Sequence, residues 1–148
     1  MKAILQYPDP RLLEVSEPVV EINSSVKELG AELVEILERS ESIGVAAIQI
    51  GSKLRVIAVK FGSENQIIVN PEIIKWSEQE CRNYEACSSI NHGETLYMIQ
   101  RHKKVKVKGL NLGGHVSIYK GSGLFAVVLQ HEIDHLNGIL INSDLKRR

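Results

Sequence analysis

The fold and the chemistry of this chain both depend on residues 123–138, GLFAVVLQHEIDHLNG. The segment is rich in apolar residues, contains no proline and is flanked by residues that typically begin and end helices. Ser122 is suited to be the N-cap, and Gly138 stands where a left-handed residue ends a helix. We therefore predict a helix that follows Ser122 and runs to Asn137.

Two histidines on this predicted helix form a candidate metal site. His131 and His135 are four residues apart, so they advance by about 400° and project from one face within reach of a single metal ion. Glu132 lies to one side of the pair, where it can act on a water without being a ligand. The same face carries three apolar residues, Leu124, Val127 and Val128. The alternative is a surface helix with two chance histidines, because a motif alone does not establish its structural context.

A catalytic metal site usually has three protein ligands, and Cys87 is the best candidate for the third. It lies in EACSS (85–89), where small neighbours permit close approach of a backbone and the amide after the cysteine can face an oxyanion. A single cysteine is otherwise more often a small buried hydrophobe, and we assign that role to Cys81. Two cysteines are too few for a disulfide framework, so a reducing compartment is expected.

The segment GVAAIQ (44–49) is a further candidate for the site. Its small residues let a substrate backbone lie close, and the side-chain amide of Gln49 can donate to a carbonyl oxygen as negative charge develops there. The alternative is a turn between a helix and a strand, since glycine most often serves backbone geometry.

The rest of the chain predicts one further helix and several short strands. Residues 25–28 (SVKE) have the form of a capping box, and an apolar stripe at helical spacing follows, with a predicted end near residues 40–42. The stripe consists of Val26, Leu29, Leu33, Ile36 and Leu37. Predicted strands cover residues 54–59, 66–69, 104–108 and 115–119, with an interruption at Asn70-Pro71 and a turn at Gly113-Gly114. This order predicts an α+β fold of antiparallel strands around the HExxH-bearing helix, in a single domain over residues 1–148.

The composition excludes several classes of protein. The 148 residues include 18 Lys and Arg against 18 Asp and Glu, whereas nucleic-acid and anionic-membrane binders generally have a basic surplus. The apolar runs are too short to span a bilayer, and Gln6 and Pro8 interrupt the apolar stretch at the N-terminus, so we expect neither a membrane span nor a signal peptide. We expect a soluble monomer that binds neither nucleic acid nor membrane directly and that is located in the cytoplasm or in the equivalent compartment of a host or organelle.

Taken together, the three segments resemble the signature motifs of the peptide deformylases, in the same order and at similar separations. Gly-x-Gly-x-Ala-Ala-x-Gln corresponds to SIGVAAIQ (42–49), and Glu-Gly-Cys-Leu-Ser corresponds to EACSS (85–89). Gln-His-Glu-x-Asp-His-Leu-x-Gly is intact as QHEIDHLNG (130–138). Flanking stretches are similar too, so the resemblance covers nearly the whole chain and implies one catalytic domain.

The resemblance also implies a role for each motif residue. The metal would be held by Cys87, His131 and His135, with a water as fourth ligand. Glu132 would be the general base and later the acid, while Gln49 and the Ser88 backbone amide would hold the oxyanion. Substrate would contact Ile43 and Gly44 along its backbone, and its methionine side chain would contact Leu124, Val127 and Val128. The family typically works with ferrous iron and often tolerates zinc or nickel, so we expect Fe²⁺ in cells.

The implied activity is hydrolysis of the formyl group from N-formylmethionine at the start of newly made polypeptides. The chain would be a short form without the longer C-terminal helix that many bacterial members use near the ribosome, and zero net charge argues against strong electrostatic docking there. Four motif positions differ, at Ser42, Ile48, Ala86 and Ser88, but none removes a ligand or the base. Two alternatives stay open: a homologue that binds formyl peptides without turnover, and an HExxH metallopeptidase, although such enzymes usually take His or Glu as third ligand.

Two further interpretations concern residues near the motifs. Arg101 is expected to pair with Glu85 and brace the metal loop. His92, five residues beyond Cys87, is either a surface residue or a substrate contact at the rim of the cleft. His102 and His115 are expected to be surface or strand residues without a role in the chemistry.

Overall fold

The computed structural model of the protein describes residues 3–143, which form two α-helices and seven β-strands. The helices are α1 (Ser24–Arg39) and α2 (Gly123–Leu136). The strands are β1 (Gly44–Ala46), β2 (Val56–Phe61), β3 (Glu64–Trp76), β4 (Glu80–Glu85), β5 (Tyr97–His102), β6 (Lys104–Leu110) and β7 (Val116–Ser122). Neighbouring strands pair antiparallel in a five-stranded sheet of order β1-β2-β3-β6-β7 and in a separate β4-β5 hairpin. This architecture confirms the predicted α+β class.

Helix α1 begins earlier than the capping box at residues 25–28 implied. Its N-cap is Asn23, whose Oδ1 accepts a hydrogen bond from the Val26 amide at 3.1 Å. The expected box of Ser25 and Glu28 is therefore wrong, because Asn23 already satisfies a donor of the first turn. The helix ends at Arg39, next to the predicted end near residues 40–42. Its apolar stripe packs in a core that it shares with buried residues of β1, β2 and β3.

Strand β3 is longer than the sequence predicted. Instead of ending before Asn70-Pro71, it continues and pairs first with β2 and then with β6. The register with β6 shifts between Val69 and Glu72, and Asn70 has a φ of 52°. The proline is tolerated because a bulge leaves it no ladder hydrogen bond to lose.

A strand is expected directly before EACSS (85–89), and β4 is that strand, but the sequence did not predict the hairpin that β4 forms with β5. Its sequences, ECRNYE and YMIQRH, contain few β-branched residues and many polar ones, so their strand propensity is weak. The hairpin matters for the site because the loop that joins its strands begins immediately after Glu85 and carries Cys87. Strands β2 and β7 also end two or three residues later than predicted.

Helix α2 starts and stops close to the predicted positions. Ser122 is its N-cap, although the serine side chain makes no capping hydrogen bond. Gly138 adopts the expected left-handed conformation, with a φ of 73°, and its amide donates to the His135 carbonyl at 3.1 Å. One side of the helix buries apolar residues, including Ala126, Leu129 and Leu136, in a core shared with the sheet. Neither helix in the described part of the chain has the length and apolar character needed to cross a membrane.

Candidate active site

Helix α2 and the loop after β4 bring three metal-binding side chains together. Cys87, His131 and His135 each offer one donor atom, and these atoms all lie within 4.8 Å of one another. The Cys87 Sγ is 3.3 Å from the His135 Nε2, and both residues are buried. One thiolate and two imidazoles leave one position of a tetrahedron open, as in catalytic sites of divalent metals. The donor set therefore fits the expected metal ion.

The two imidazoles differ in their environment. The His131 Nδ1 lies 2.9 Å from the Glu85 Oε1. Burial lowers the pKa of His131, but its hydrogen bonds with Cys87 and Glu85 and the charge of Glu132 raise that pKa to about 10, so a metal ion that binds the Nε2 atom displaces a proton. Burial, together with the positive charges of His131 and Arg101, holds the pKa of His135 well below its usual range. The His135 imidazole is therefore neutral, the form in which histidine binds metals.

A buried arginine links the carboxylate behind His131 to helix α2. Arg101 on β5 donates from Nε and Nη2 to the two Glu85 carboxylate oxygens, each at 2.8 Å, and from Nη1 to the Asp134 Oδ2 at 2.6 Å. Burial alone would raise the pKa of Glu85, but hydrogen bonds from Arg101 and His131 outweigh it and bring the pKa to about 2. Glu85 is thus ionised and holds the His131 ring in one orientation. The pairing of Arg101 with Glu85 agrees with the sequence prediction, whereas the contact with Asp134 had no sequence signal beyond its place in the motif.

Glu132 is a buried carboxylate beside the three donors. It is 4% exposed, and its Oε1 has no hydrogen-bond partner among the described residues. Burial raises the pKa of Glu132 to about 7, although the nearby positive charges of His131 and Arg101 oppose this rise. Gly44 provides the space for this side chain, since a Cβ at Gly44 would lie 2.6 Å from the Glu132 Oε2 and 2.8 Å from the Val128 Cγ1.

Gln49 is buried with its amide nitrogen directed at the loop that carries Cys87. The Oε1 atom accepts from the Ala46 backbone amide at 2.9 Å, which fixes the orientation of the side chain. The Nε2 atom donates to the Ser88 Oγ at 3.2 Å and to the Ser89 Oγ at 3.0 Å, and it lies 4.0 Å from the Cys87 Sγ. The glutamine is therefore next to the metal ligands, with its donor group on their side.

The N-terminal arm, residues 3–23, holds together the segments that carry Gln49 and Cys87. Its prolines at positions 8, 10 and 18 predict an irregular arm over the domain, but the sequence did not reveal which residues it contacts. The Leu5 amide donates to the Gln49 carbonyl and the Tyr7 amide to the Ser89 carbonyl, both at 2.7 Å. Between them, the Gln6 Nε2 donates to the Ser88 carbonyl at 2.7 Å, and its Oε1 accepts from the His92 amide at 3.0 Å. A polar residue in an irregular arm carries no periodic signal, so this contact could not be found from the sequence.

The predicted site residues surround one cleft of about 770 Å³. Its lining includes ten of them: Ile43, Gly44, Gln49, Cys87, Ser88, Leu124, Val127, Val128, His131 and Glu132. His135 is buried behind the Cys87 sulfur and does not line the cleft. Leu124 is 65% exposed, so it lies at the mouth of the cleft. The arrangement is an open cleft that leads to a buried donor set and a buried carboxylate, which suits metal-assisted hydrolysis.

The remaining histidines and Cys81 have different environments. His92 lines the cleft at its rim, with a φ of 53°, and His115 is exposed. His102 is half-buried, with its Nδ1 2.8 Å from the Ser77 carbonyl and its ring stacked on Trp76. Cys81 is half-buried and accepts a hydrogen bond from the Asn83 amide, away from the metal donors.

Comparison with known proteins identifies many relatives of the same kind. The family model described as Polypeptide deformylase matches residues 1–148. A peptide deformylase of Afipia carboxidovorans is 38% identical over an alignment of 145 residues, and the alignment covers 95% of this chain and 84% of the relative. A peptide deformylase of Dictyoglomus thermophilum is 36% identical over 141 residues, covering 95% and 90% of the two chains.

Solved structures agree with the sequence relatives. The crystal structure of a peptide deformylase from Thermotoga maritima superposes with a TM-score of 0.90 at 32% identity and covers 95% of both chains. That of a probable peptide deformylase from Synechococcus phage S-SSM7 superposes with a TM-score of 0.89 at 35% identity and covers 95% and 97%. The family match, the sequence relatives and the shared fold lead to one conclusion: this chain belongs to the peptide deformylase family.

Proposed function

We propose that this protein is a metal-dependent hydrolase that removes the formyl group from N-formylmethionine at the start of newly made polypeptides and releases formate. The observation that carries the proposal is the convergence of Cys87, His131 and His135 beside the buried Glu132, in a chain that belongs to the peptide deformylase family. Residues 1–148 would act as one catalytic domain, a monomer that works close to the ribosome in the cytoplasm.

In this proposal, Cys87, His131 and His135 hold a divalent metal ion, which supplies Lewis acidity and an activated water. Glu132 takes a proton from the attacking water and later gives it to the departing amine, because its carboxylate lies beside the donor set and has an oxygen with no other partner. Glu85 holds His131 in place throughout.

The negative charge that develops on the formyl oxygen needs hydrogen-bond donors. The Gln49 Nε2 and the Ser88 backbone amide would supply them, since both belong to the segments that surround the Cys87 sulfur. Apolar residues of α2 at the cleft, Leu124, Val127 and Val128, would contact the methionine side chain. Ile43 and Gly44 would lie along the backbone of the peptide.

The thiolate and imidazole donors accept more than one divalent metal. We propose Fe²⁺ in cells, with zinc or nickel able to replace it. Elemental analysis of anaerobically purified protein would identify the ion directly.

The test is formate release from formyl-Met-Ala-Ser by anaerobically metallated protein, with metal content measured on the same sample. We expect turnover with formyl-Met-Ala-Ser and none with acetyl-Met-Ala-Ser. The donor set is buried, so we expect only the smaller formyl group to bring its carbonyl carbon close to it. Stoichiometric metal without formate release would overturn the proposal. Tight formyl-peptide binding under those conditions would support the binding-only homologue, and cleavage of unformylated peptides would support the metallopeptidase.

A further inference from the structure

Gln6 connects the N-terminal arm to the loop that carries Cys87. Its Nε2 donates to the Ser88 carbonyl at 2.7 Å, and its Oε1 accepts from the His92 amide at 3.0 Å. A carbonyl only accepts and a backbone amide only donates, so these two partners allow one orientation of the Gln6 amide group. Gln6 is half-buried and does not line the active-site cleft. Any effect of Gln6 on the reaction therefore passes through the loop.

The loop begins with a β-turn from Cys87 to Ile90. The Ile90 amide donates to the Cys87 carbonyl at 2.9 Å, which places Ser88 and Ser89 at the two central positions of the turn. The common turn types I and II differ by a reversal of the peptide between the central residues. The carbonyl of that peptide belongs to Ser88 and is the one that Gln6 holds. The hydrogen bond from Gln6 therefore fixes the orientation of the central peptide.

Other hydrogen bonds hold the same turn at different atoms. The Tyr7 amide donates to the Ser89 carbonyl, and the Gln49 Nε2 donates to the hydroxyls of Ser88 and Ser89. Within residues 3–143, the Gln6 Nε2 is the only hydrogen-bond donor to the Ser88 carbonyl. Loss of the Gln6 side chain would therefore free the central peptide while the neighbouring contacts remain.

The direction of the Ser88 amide is what this arrangement controls. Ser88 lines the cleft, and its N–H donates no hydrogen bond within the described part of the chain. A backbone N–H that is unpaired at a cleft is suited to bind an oxygen on which negative charge develops. This N–H and the carbonyl held by Gln6 belong to the same residue. A turn that loosens at the carbonyl therefore also loses a fixed direction of the N–H.

We propose that Gln6 is a positioning residue of the active site, which holds the turn so that the Ser88 amide points at the oxyanion of the substrate. The inference rests on the proposed deformylase function, in which this amide is an oxyanion donor. Such a donor acts mainly in the transition state, where the negative charge develops. A misplaced donor should therefore lower kcat and leave KM nearly unchanged.

Gln6→Met tests the proposal, because methionine has a similar length but makes neither hydrogen bond. Removal of an oxyanion donor costs about 10²- to 10³-fold in kcat, so a donor that is only misplaced should cost about 10- to 100-fold. KM for formyl-Met-Ala-Ser and Zn²⁺ affinity should each change by less than about threefold, because Gln6 contacts neither the cleft nor a metal donor. The matched control is Gln66→Met, since Gln66 is also half-buried and its amide bonds only the exposed Glu64.

A second readout does not depend on turnover. Amide hydrogen exchange of the Zn²⁺-loaded protein, followed by NMR, reports whether the Ile90 amide stays bonded within the turn. One net hydrogen bond shifts a local equilibrium by about 2- to 10-fold, so the loss of both Gln6 bonds should speed exchange at Ile90 by about 4- to 100-fold. Amides of β2 and β3 are the internal reference, and their exchange should equal that in the original protein.

Gln6→Glu separates the two hydrogen bonds. Glutamate keeps an acceptor for the His92 amide, but at about pH 8, well above its ordinary pKa, it has no donor for the Ser88 carbonyl. We expect kcat at least as low as in Gln6→Met. Recovery of the original kcat by Gln6→Glu would overturn the proposal, because the contact with His92 would then be the one that matters.

Three further outcomes would also overturn the proposal. The first is a kcat and an Ile90 exchange rate in Gln6→Met equal to those of Gln66→Met, and the second is a rise in KM at constant kcat. The third is a loss of Zn²⁺ affinity that matches the loss of kcat, which would show that Gln6 holds the Cys87 sulfur instead of the Ser88 amide. If the original protein released no formate, the proposed function and the oxyanion role would both fail, whereas exchange at Ile90 would still show whether Gln6 holds the turn.

Discussion

At the scale of single residues, Ser88 is where the site departs most clearly from the family motif. The motif has leucine after the cysteine, whereas Ser88 places a hydroxyl 3.2 Å from the Gln49 Nε2. The Ser89 Oγ is a second acceptor for the same nitrogen at 3.0 Å. An amide nitrogen has two hydrogens, so both donors of Gln49 are engaged. A substrate oxyanion must therefore displace one of these hydroxyls.

Ser88→Ala should raise kcat for formyl-Met-Ala-Ser. A net hydrogen bond of this kind contributes about 0.5–1.5 kcal/mol, so freeing the Gln49 donor is expected to increase the rate about 2- to 10-fold. The Ser88 backbone amide is unchanged by this substitution, and metal content should be unchanged as well. Steady-state kinetics with metal analysis would measure the effect. A lower kcat with full metal content would mean that the hydroxyl itself assists the reaction.

At the scale of elements, the end of α2 depends on the backbone of Gly138. A Cβ there would lie 2.5 Å from the Leu13 carbonyl oxygen, because the N-terminal arm crosses the helix terminus. Gly114, in the β6–β7 turn, has a similar positive φ of 81° but no atom within 4 Å of the corresponding Cβ position. A comparison of substitutions at the two glycines therefore separates the cost of the positive φ from the cost of steric contact with the N-terminal arm.

Gly138→Ala should destabilise the protein more than Gly114→Ala. Both substitutions place an L side chain at positive φ, at a cost of about 1–2 kcal/mol. Gly138→Ala should lower the free energy of unfolding by about 1–3 kcal/mol more, because the arm has to move. Urea unfolding of both variants measures the difference. Equal free energies of unfolding would show that the N-terminal arm moves aside without a loss of stability.

The link between the β4-β5 hairpin and α2 passes through the Glu85 carboxylate. Glu85→Gln removes the charge that accepts from both Arg101 and His131 while keeping the side-chain shape. Metal affinity should then fall about 10- to 100-fold, as for other residues that orient metal ligands. Competition with a chromophoric chelator measures this affinity without reference to turnover.

The control for this change is Glu80→Gln, since Glu80 is on the same strand and is exposed. Its metal affinity should equal that of the original protein. An equal affinity in Glu85→Gln would argue against the bracing role of the Arg101 and Glu85 pair.

At the scale of the whole molecule, the sequence predicted local features well and non-local ones poorly. His131 and His135 share a face because of their spacing alone, and Gly138 ends α2 through its own conformational freedom. The proximity of Gln49 and Cys87 depends on the β4-β5 hairpin, whose sequence has weak strand propensity. The family resemblance therefore predicted that these two residues lie close together, whereas hydrophobic periodicity did not.

Metal binding should stabilise the whole protein, because the ligands come from two separate parts of the fold. Cys87 follows β4, whereas both histidines are on α2, so a metal ion bound only by the folded state links these elements. Zn²⁺ at about a hundredfold excess over its Kd should add about 2.7 kcal/mol to the free energy of unfolding. For a chain of this size that corresponds to a rise in Tm of roughly 5–11 °C, measurable by thermal unfolding with and without chelator.

Two variants separate the roles of ligand and base within the same experiment. Cys87→Ser should lose most of the Zn²⁺-dependent rise in Tm, because it replaces the thiolate donor. Glu132→Gln should keep that rise while formate release falls about 10²- to 10⁴-fold, the usual contribution of a general base. If Glu132→Gln also lost the rise in Tm, Glu132 would be a metal ligand and the proton-transfer role would pass to another group. If Cys87→Ser kept the Zn²⁺-dependent rise in Tm, the sulfur would not be a ligand, and the metal ion would be held by the two histidines and a different third donor.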